Sequence, residues 1–189
     1  MLQHFDTATL AVTAWKNGGG CTREILCSPP GAGIDDFDWR VSIATISQAG
    51  PFSVFAGVDR VIMLLEGHGV HLKSASGIDH RLDQPCVPFA FSGDTALDCT
   101  LLGGTSTDFN VMTRRGQLRA EVVVLRESAR LPLSQRGLLW VLRGTWALAG
   151  TSTCTAGQGL WWDSRALGGP VVPNEGDSVL VWVHLIEEA

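Results

Sequence analysis

Glycine and proline interrupt this chain so often that long regular helices have no room to form. The 189 residues include 22 glycines and 8 prolines, and no stretch keeps the 3.6-residue apolar period of an amphipathic helix. Short apolar runs bounded by turn residues recur instead. Segment 39–45 alternates cleanly, with Trp39 facing one way and Arg40 the other. The continuous apolar runs 61–65 and 122–125 are typical of strands covered on both faces. The sequence predicts an all-β protein.

One strand–glycine–strand pattern occurs twice. Segment 61–72 aligns with 138–149, and in each an apolar strand leads to a charged residue, a glycine and a second strand. We interpret each copy as a hairpin and align the later turn Gly93-Asp94 with Gly176-Asp177. Any all-β protein offers strand–glycine–strand pairs, but the added Gly-Asp match favours a duplication. The repeat predicts two small antiparallel barrels in one chain.

The boundary between the two barrels is predicted where the apolar pattern stops. Residues 114–117 are two arginines, a glycine and a glutamine. We therefore expect an N-terminal barrel over residues 1–115 and a smaller, degenerate C-terminal barrel over 116–189.

Composition and charge limit which classes of partner and which cellular compartment we expect for this protein. The net charge of −5 gives no electrostatic reason for binding nucleic acid or an anionic membrane. No apolar run approaches the roughly 20 residues that span a bilayer. The first residues lack the basic start and apolar stretch of a secretion signal. We expect a cytoplasmic protein with neither nucleic-acid nor membrane partners.

Cysteine and histidine spacing does not favour a metal site. The five cysteines are scattered without a Cys-x-x-Cys pair, which is unlike a disulfide framework or a thiolate zinc site. No His-x-His occurs, and His68 and His71 would point to opposite faces of one strand. His184 has no neighbouring ligand in the sequence. We expect no metal and no cofactor.

The segment Trp15-Lys16-Asn17-Gly18-Gly19-Gly20-Cys21-Thr22-Arg23-Glu24 is the first candidate for a site. Three consecutive glycines allow backbone conformations and close approaches that a Cβ would forbid. Thr22 and Glu24 point to the same side if the chain leaves as a strand. The segment fits one wall of a pocket, and it equally fits a tight hairpin turn with ordinary surface side chains.

Four motifs in chain order resemble the HutD/Ves family. They are Trp15-Lys16-Asn17-Gly18-Gly19-Gly20 with Thr22 and Glu24; Phe37-x-Trp39-Arg40-x-Ser42; Gly50-Pro51-Phe52-Ser53-x-Phe55-x-Gly57-x-Asp59-Arg60; and Asp108-Phe109-Asn110-x-Met112-x-Arg114-Arg115. The resemblance implies a bicupin, two RmlC-like jelly-roll barrels in one chain. It also implies a link to bacterial histidine utilisation, as a regulator or metabolite binder rather than a pathway enzyme. Cupin barrels often pair, which allows a homodimer.

The chemistry of these motifs suits a small carboxylate. Arginine binds a carboxylate through two parallel hydrogen bonds and stays charged in almost any environment. Amides and hydroxyls add hydrogen bonds, while aromatic residues and methionine add apolar walls. The predicted ligand-binding residues are Asn17, Thr22, Glu24, Arg40, Ser42, Phe52, Arg60, Asn110, Met112 and Arg114. Alternatively, Glu24 and Arg40 form a buried ion pair that orders the barrel interior.

Three functions remain open at this point. The leading hypothesis is a metal-independent binder of a histidine-degradation intermediate, namely formiminoglutamate, formylglutamate or urocanate, with a regulatory role. The second is a metal-independent hydrolase or isomerase for such a compound, with Glu24 as general base. The third is an interaction module that reports metabolite level to a regulator.

Overall fold

The computed structural model describes residues 1–33 and 35–188. Strands make up nearly all of its regular structure, as predicted, and the helical content of the described residues is one 3₁₀ turn, Thr7–Thr9. Within this part of the chain, no helix combines the length and apolar character that crossing a bilayer requires. The chain divides into two compact units.

The first unit comprises residues 11–119 with Glu188. Its strands are β2 (Val12–Ala14), β3 (Gly20–Ser28), β4 (Trp39–Ile46), β5 (Gly50–Pro51), β6 (Val58–Glu66), β7 (Val70–Lys73), β8 (Asp79–Leu82), β9 (Pro88–Ser92), β10 (Asp98–Leu101) and β11 (Ser106–Arg114). They form a six-stranded sheet in the order β2-β3-β4-β11-β6-β9 and a four-stranded sheet in the order β5-β10-β7-β8. The strand pairings of the described residues in these two sheets are antiparallel.

An apolar core lies between the two sheets of the first unit. Ile46, Ile62 and Leu64 come from the six-stranded sheet, and Val70 and Leu72 come from the four-stranded one. All five are buried. In β6 the side chains of both faces are buried, as its continuous apolar run predicts. This face-to-face arrangement decides which side chains of β4, β6 and β11 point inward.

The second unit comprises residues 1–10 and 120–187. Its strands are β1 (Leu2–Asp6), β12 (Leu118–Leu125), β13 (Ala129–Ser134), β14 (Gly137–Arg143), β15 (Thr145–Leu148), β16 (Ser152–Thr155), β17 (Gln158–Trp162), β18 (Leu167–Pro173) and β19 (Val179–Glu187). The sheets have the orders β1-β17-β14-β19-β12 and β13-β18-β15-β16. Their core is apolar and includes the fully buried rings of Trp146 and Trp162.

The two units repeat one topology. Adding eight to each strand number turns β4-β11-β6-β9 into β12-β19-β14-β17, and turns β5-β10-β7-β8 into β13-β18-β15-β16. The strands without a counterpart are β2 and β3 in the first unit and β1 in the second. The duplication predicted from the sequence repeat is therefore present in the strand order. The first ten residues group with the second unit, which differs from the predicted boundaries of 1–115 and 116–189.

The repeated strand–glycine–strand element is a corner between sheets, so its interpretation as a hairpin was wrong. β6 and β7 belong to different sheets, and so do β14 and β15. Gly67 and Gly144 have positive φ values of 94° and 74°. A Cβ would lie 2.5 Å from the Thr105 carbonyl oxygen at the first corner and 2.1 Å from Ser178 Oγ at the second. Glycine is required at both corners because φ is positive there and the chain passes close to the residues that lead into the neighbouring strand, β11 or β19.

The Gly-Asp part of the proposed alignment was also wrong. Gly93 and Asp94 lie between β9 and β10, whereas Gly176 and Asp177 lie between β18 and β19. The topological counterpart of the first turn is the connection from β17 to β18. A two-residue turn signal recurs wherever chains reverse, so it does not establish which connection is which.

Candidate functional site

Polar side chains lie on the inner face of the six-stranded sheet in the first unit. Met112 of β11 is opposite Arg40 of β4 on one side and opposite Arg60 of β6 on the other. Asn110 is likewise opposite Ser42. Residues directly opposite each other share a face, and alternate residues along a strand do so as well. These side chains therefore share the face that carries the apolar core, as the alternation of segment 39–45 predicts.

Arg60 is the most enclosed cation of this face. Only 7% of the residue is exposed. Its guanidinium carbon lies 5.5, 5.4 and 5.0 Å from the ring centroids of Phe52, Phe55 and Phe91. Such contacts favour a cation over the ring faces. Burial lowers the pKa of Arg60 to about 10, partly opposed by Asp108, so the group is charged at neutral pH.

Asn110 connects Arg60 to a buried carboxylate. Arg60 Nη2 donates a 2.8 Å hydrogen bond to Asn110 Oδ1, and Asn110 Nδ2 donates to Asp108 Oδ2. Asp108 and Asn110 are 2% and 5% exposed. Burial raises the pKa of Asp108 to about 7 against the opposing effects of Arg60 and Asn110. The three side chains form one polar row inside an otherwise apolar core.

The polar row is incompletely satisfied. Arg60 Nε and Asp108 Oδ1 are buried and have no hydrogen-bond partner among the described residues. Arg60 Nη1 makes only a long contact, 3.4 Å, to the Ser53 carbonyl oxygen. Buried polar atoms are normally paired, and leaving one unpaired costs about 1–3 kcal/mol. Such groups in a native protein call for an explanation, and ligand binding is one.

Arg40 extends the row towards solvent. Its Nε lies 2.7 Å from Glu24 Oε2, and the two side chains are 14% and 48% exposed. The ion pair suggested as the structural alternative is therefore present, but it is half-exposed rather than buried. Arg40 Nη1 lies 3.9 Å from Met112 Sδ, and a thioether is a weak acceptor. Arg40 therefore retains guanidinium N–H groups that can donate to a ligand at the solvent-facing end of the row.

The glycine segment forms a turn that its own polar groups hold in place. Asn17 Oδ1 accepts a 3.0 Å hydrogen bond from the Gly19 amide. Thr22 Oγ1 accepts a 2.8 Å bond from Trp15 Nε1. A Cβ on Gly20 would lie 2.2 Å from the Thr45 carbonyl oxygen. Asn17 and Thr22, both predicted to bind ligand, are thus engaged with the turn.

A small pocket opens beside this turn. Its cavity volume is about 20 Å³, room for about one water molecule. Trp15, Asn17, Ile46 and Phe52 are among the residues that line it. Because Phe52 also faces the Arg60 guanidinium, this one ring belongs both to the pocket and to the polar row.

Arg114 lies outside the polar row. Its guanidinium donates to the carbonyl oxygens of Asp35, Phe37 and Ala56 and lies 5.4 Å from the Phe37 ring centroid. A side chain that satisfies three backbone carbonyls supports the surrounding loops. The structure therefore brings together Glu24, Arg40, Ser42, Phe52, Arg60, Asn110 and Met112, and leaves Asn17, Thr22 and Arg114 in separate roles.

Sequence reasoning missed Asp108 and Phe91. Asp108 begins the fourth motif, but it is not among the predicted ligand-binding residues. The available signal was alternation, because Asp108, Asn110 and Met112 alternate with the apolar residues Phe109 and Val111. Phe91 carried no such signal, since its position opposite Arg60 follows only from the register of β6 and β9.

The chemistry available to this row is anion recognition. Two arginines, an amide and aromatic walls converge on one face, which suits a small carboxylate.

All five cysteines are free thiols, and burial raises the pKa of Cys99 to about 12, with a smaller contribution from Asp108. Among the described residues, no group of three or more His, Cys, Asp or Glu side chains is placed to hold a metal ion.

Relatives of known sequence match most of the chain. Protein Ves from Citrobacter koseri is 43% identical over 162 residues, which are 85% of this chain and 83% of that protein. Protein Ves from Escherichia fergusonii is 41% identical over 166 residues, 87% of this chain and 85% of the relative. These identities confirm the resemblance to the HutD/Ves family that the four motifs indicated.

Solved structures share the fold. HutD from Pseudomonas fluorescens SBW25 is 28% identical with a TM-score of 0.86, and each chain covers 100% of the other. Oxalate decarboxylase from Lactobacillus farciminis, at 8% identity, has a TM-score of 0.65 over 98% of this chain and 86% of that one. This second likeness shows the cupin fold alone. A family model described as HutD matches residues 7–179, and the chain belongs to the HutD family.

Proposed function

We propose that the first unit binds a small carboxylate metabolite on the inner face of its six-stranded sheet, without a metal. The ligand class is a histidine-degradation intermediate: formiminoglutamate, formylglutamate or urocanate. Membership of the HutD family supports the connection with histidine utilisation. Binding would report the level of the intermediate, which gives the protein a regulatory role.

The observation that carries this proposal is the incompletely paired Arg60. Its guanidinium is enclosed by three phenyl rings, yet Nη1 has only the long contact to Ser53. A ligand carboxylate that replaces the Ser53 carbonyl would accept a shorter, charge-assisted hydrogen bond. Because Ser53 lies in the irregular segment between β5 and β6, that replacement requires movement of a loop rather than of a strand.

Arg40 is the natural second contact. Met112 is opposite both arginines in the sheet, and neighbouring strands lie about 4.8 Å apart, so the two arginine Cα atoms are separated by about 10 Å. Long guanidinium side chains can converge across that distance. Arg40 also lies nearer to solvent than Arg60, so it would meet an entering anion first.

Calorimetric titration tests the proposal directly. Purified protein is titrated with formiminoglutamate, formylglutamate and urocanate, and at least one should bind with a measurable enthalpy. Arg40→Ala should weaken that affinity at least tenfold, because it removes a charged donor. Arg81→Ala is the matched control, since Arg81 is an exposed arginine of β8 that pairs with Asp83. No binding by any compound, or equal affinity in Arg40→Ala, would contradict the proposal.

A metal-independent enzyme is the second candidate, favoured by the position of Glu24. Its carboxylate is half-exposed and lies next to Arg40, so solvent and a bound ligand could both reach it. A general base needs this access. Turnover by chelator-treated protein that is lost in Glu24→Gln would favour the enzyme. Binding without turnover would favour the sensor.

A further inference from the structure

Charge balance inside the first unit constrains how an anion can enter the polar row. The polar row and the Glu24–Arg40 pair that extends it are counted together here, and they contain two guanidinium groups, Arg40 and Arg60, and two carboxyl groups, Glu24 and Asp108. With both carboxyls ionised their net charge is zero. A ligand carboxylate would then leave one uncompensated negative charge in a largely buried place, which is strongly unfavourable.

One member of the row can remove that excess charge. Glu24 is half-exposed and already paired with Arg40. Asp108 is 2% exposed, and its Oδ1 has no partner among the described residues. As a neutral carboxylic acid it would place a proton in the row, and the row would carry a net charge of +1. A single carboxylate would then be balanced.

We infer that one carboxylate of the ligand binds this row together with one proton, which Asp108 takes up from solvent. The proton ends on a carboxyl oxygen of Asp108, and no other bond forms or breaks. Asn110 is the link, since it accepts from Arg60 and donates to Asp108. Asp108 is therefore a positioning residue that sets the charge state in which the site accepts an anion. This inference rests on the proposed function.

The other ionisable groups near Asp108 do not supply this proton. Cys99 of β10 has its pKa raised to about 12 by burial and, to a lesser extent, by Asp108, so it stays a neutral thiol. Arg60 of β6 and Arg40 of β4 contribute guanidinium groups, and arginine side chains in proteins do not give up their proton. Burial places the pKa of Asp108 itself at about 7, so its proton occupancy changes across the physiological range.

The test is the pH dependence of affinity. Calorimetric titration with formiminoglutamate, formylglutamate and urocanate is run from pH 6 to pH 9 in buffers of different ionisation enthalpy. For the wild type, we expect the dissociation constant to rise about tenfold per pH unit above pH 7.5, with about one proton taken up per ligand. Asp108→Asn keeps the shape and stays neutral, so its affinity should change less than twofold over the range. Asp98→Asn, at an exposed aspartate of β10, should behave as the wild type.

The outcomes separate the two proposals. Binding that is independent of pH, with no proton uptake in any buffer, overturns the inference and leaves the proposed function standing. A slope that persists in Asp108→Asn also overturns it, because another group then carries the proton. Absence of binding at every pH overturns both. Thermal unfolding of each variant shows whether it is folded, and the buffer series on the wild type requires no variant.

Discussion

Arg60 Nη2 donates a 2.8 Å hydrogen bond to Asn110 Oδ1, and this bond sets the direction of the Asn110 amide. With Oδ1 facing Arg60, Nδ2 must face Asp108, to which it donates. One amide therefore satisfies a cation with its acceptor and a carboxyl with its donor. Among the side chains, only the amides of asparagine and glutamine place an acceptor oxygen and a donor NH2 on the same planar carbon.

Replacing Asn110 should destabilise the first unit. Asn110→Leu keeps a branched side chain of four heavy atoms but leaves Arg60 Nη2 and Asp108 Oδ2 without the hydrogen bonds to Asn110. We expect the free energy of unfolding to fall by about 2–5 kcal/mol, because two buried polar groups lose a hydrogen bond. Chemical denaturation measures it. Asn174→Leu, at an exposed position of the second unit, should change stability by less than about 0.5 kcal/mol. A similar loss in both variants would contradict this role of Asn110.

Stability should also depend on pH through Asp108. Its folded pKa of about 7 exceeds the unfolded value of about 3.9. Between these values the native state binds more protons than the unfolded state, so this contribution to stability is full below about pH 4 and is lost as the pH rises through 7. Asp108→Asn removes the effect.

A difference curve isolates this contribution. The free energy of unfolding of Asp108→Asn minus that of the wild type should rise between about pH 4 and 7, by up to about 1.4 kcal/mol per pH unit, and level off above 7. Urea denaturation at a series of pH values provides the curve. A flat difference would show that Asp108 has an ordinary pKa in the folded protein.

Local sequence patterns predicted the layers of this fold better than its connections. Alternation in β4 was enough to place Arg40 and Ser42 on one face, because side chains in a strand alternate strictly. The corner at Gly67 was mistaken for a hairpin, since strand–glycine–strand reads the same in both cases. Which one forms depends on whether the second strand finds its partner in the same sheet, and that partner is distant in sequence.

In the candidate site, too, the sequence predicted residue types better than the contacts between residues distant in the chain. Arg60 and Asn110 were predicted from motifs, but their hydrogen bond joins residues 50 positions apart. Asn17 and Thr22 are polar and adjacent to glycines, which made them candidates. In the folded protein Thr22 Oγ1 and Asn17 Oδ1 accept hydrogen bonds within the turn, and ligand binding by either residue stays a prediction. A sequence shows which side chains can donate or accept, whereas only the folded register shows which of them are already engaged.

The Trp15–Thr22 hydrogen bond should stabilise the glycine turn measurably. Trp15→Phe removes the Nε1 donor, and Thr22→Val removes the Oγ1 acceptor. Each change should lower the free energy of unfolding, and the double variant should cost less than the sum of both. We expect a coupling of about 0.5–1.5 kcal/mol from denaturation of all four proteins. Strictly additive losses would mean that the bond contributes nothing to stability.

Gly20 should not accept a side chain, because β4 passes too close. In Gly20→Ala the new Cβ would lie 2.2 Å from the Thr45 carbonyl oxygen and 3.0 Å from the Trp15 ring. The Thr45 contact is with backbone, so β3 and β4 must separate locally, and we expect a loss of about 1–3 kcal/mol. Gly50→Ala is the matched control, because its Cβ would meet nothing within 4 Å. Denaturation midpoints compare the two variants, and an equal shift in both would show that the close approach at Gly20 has no energetic consequence.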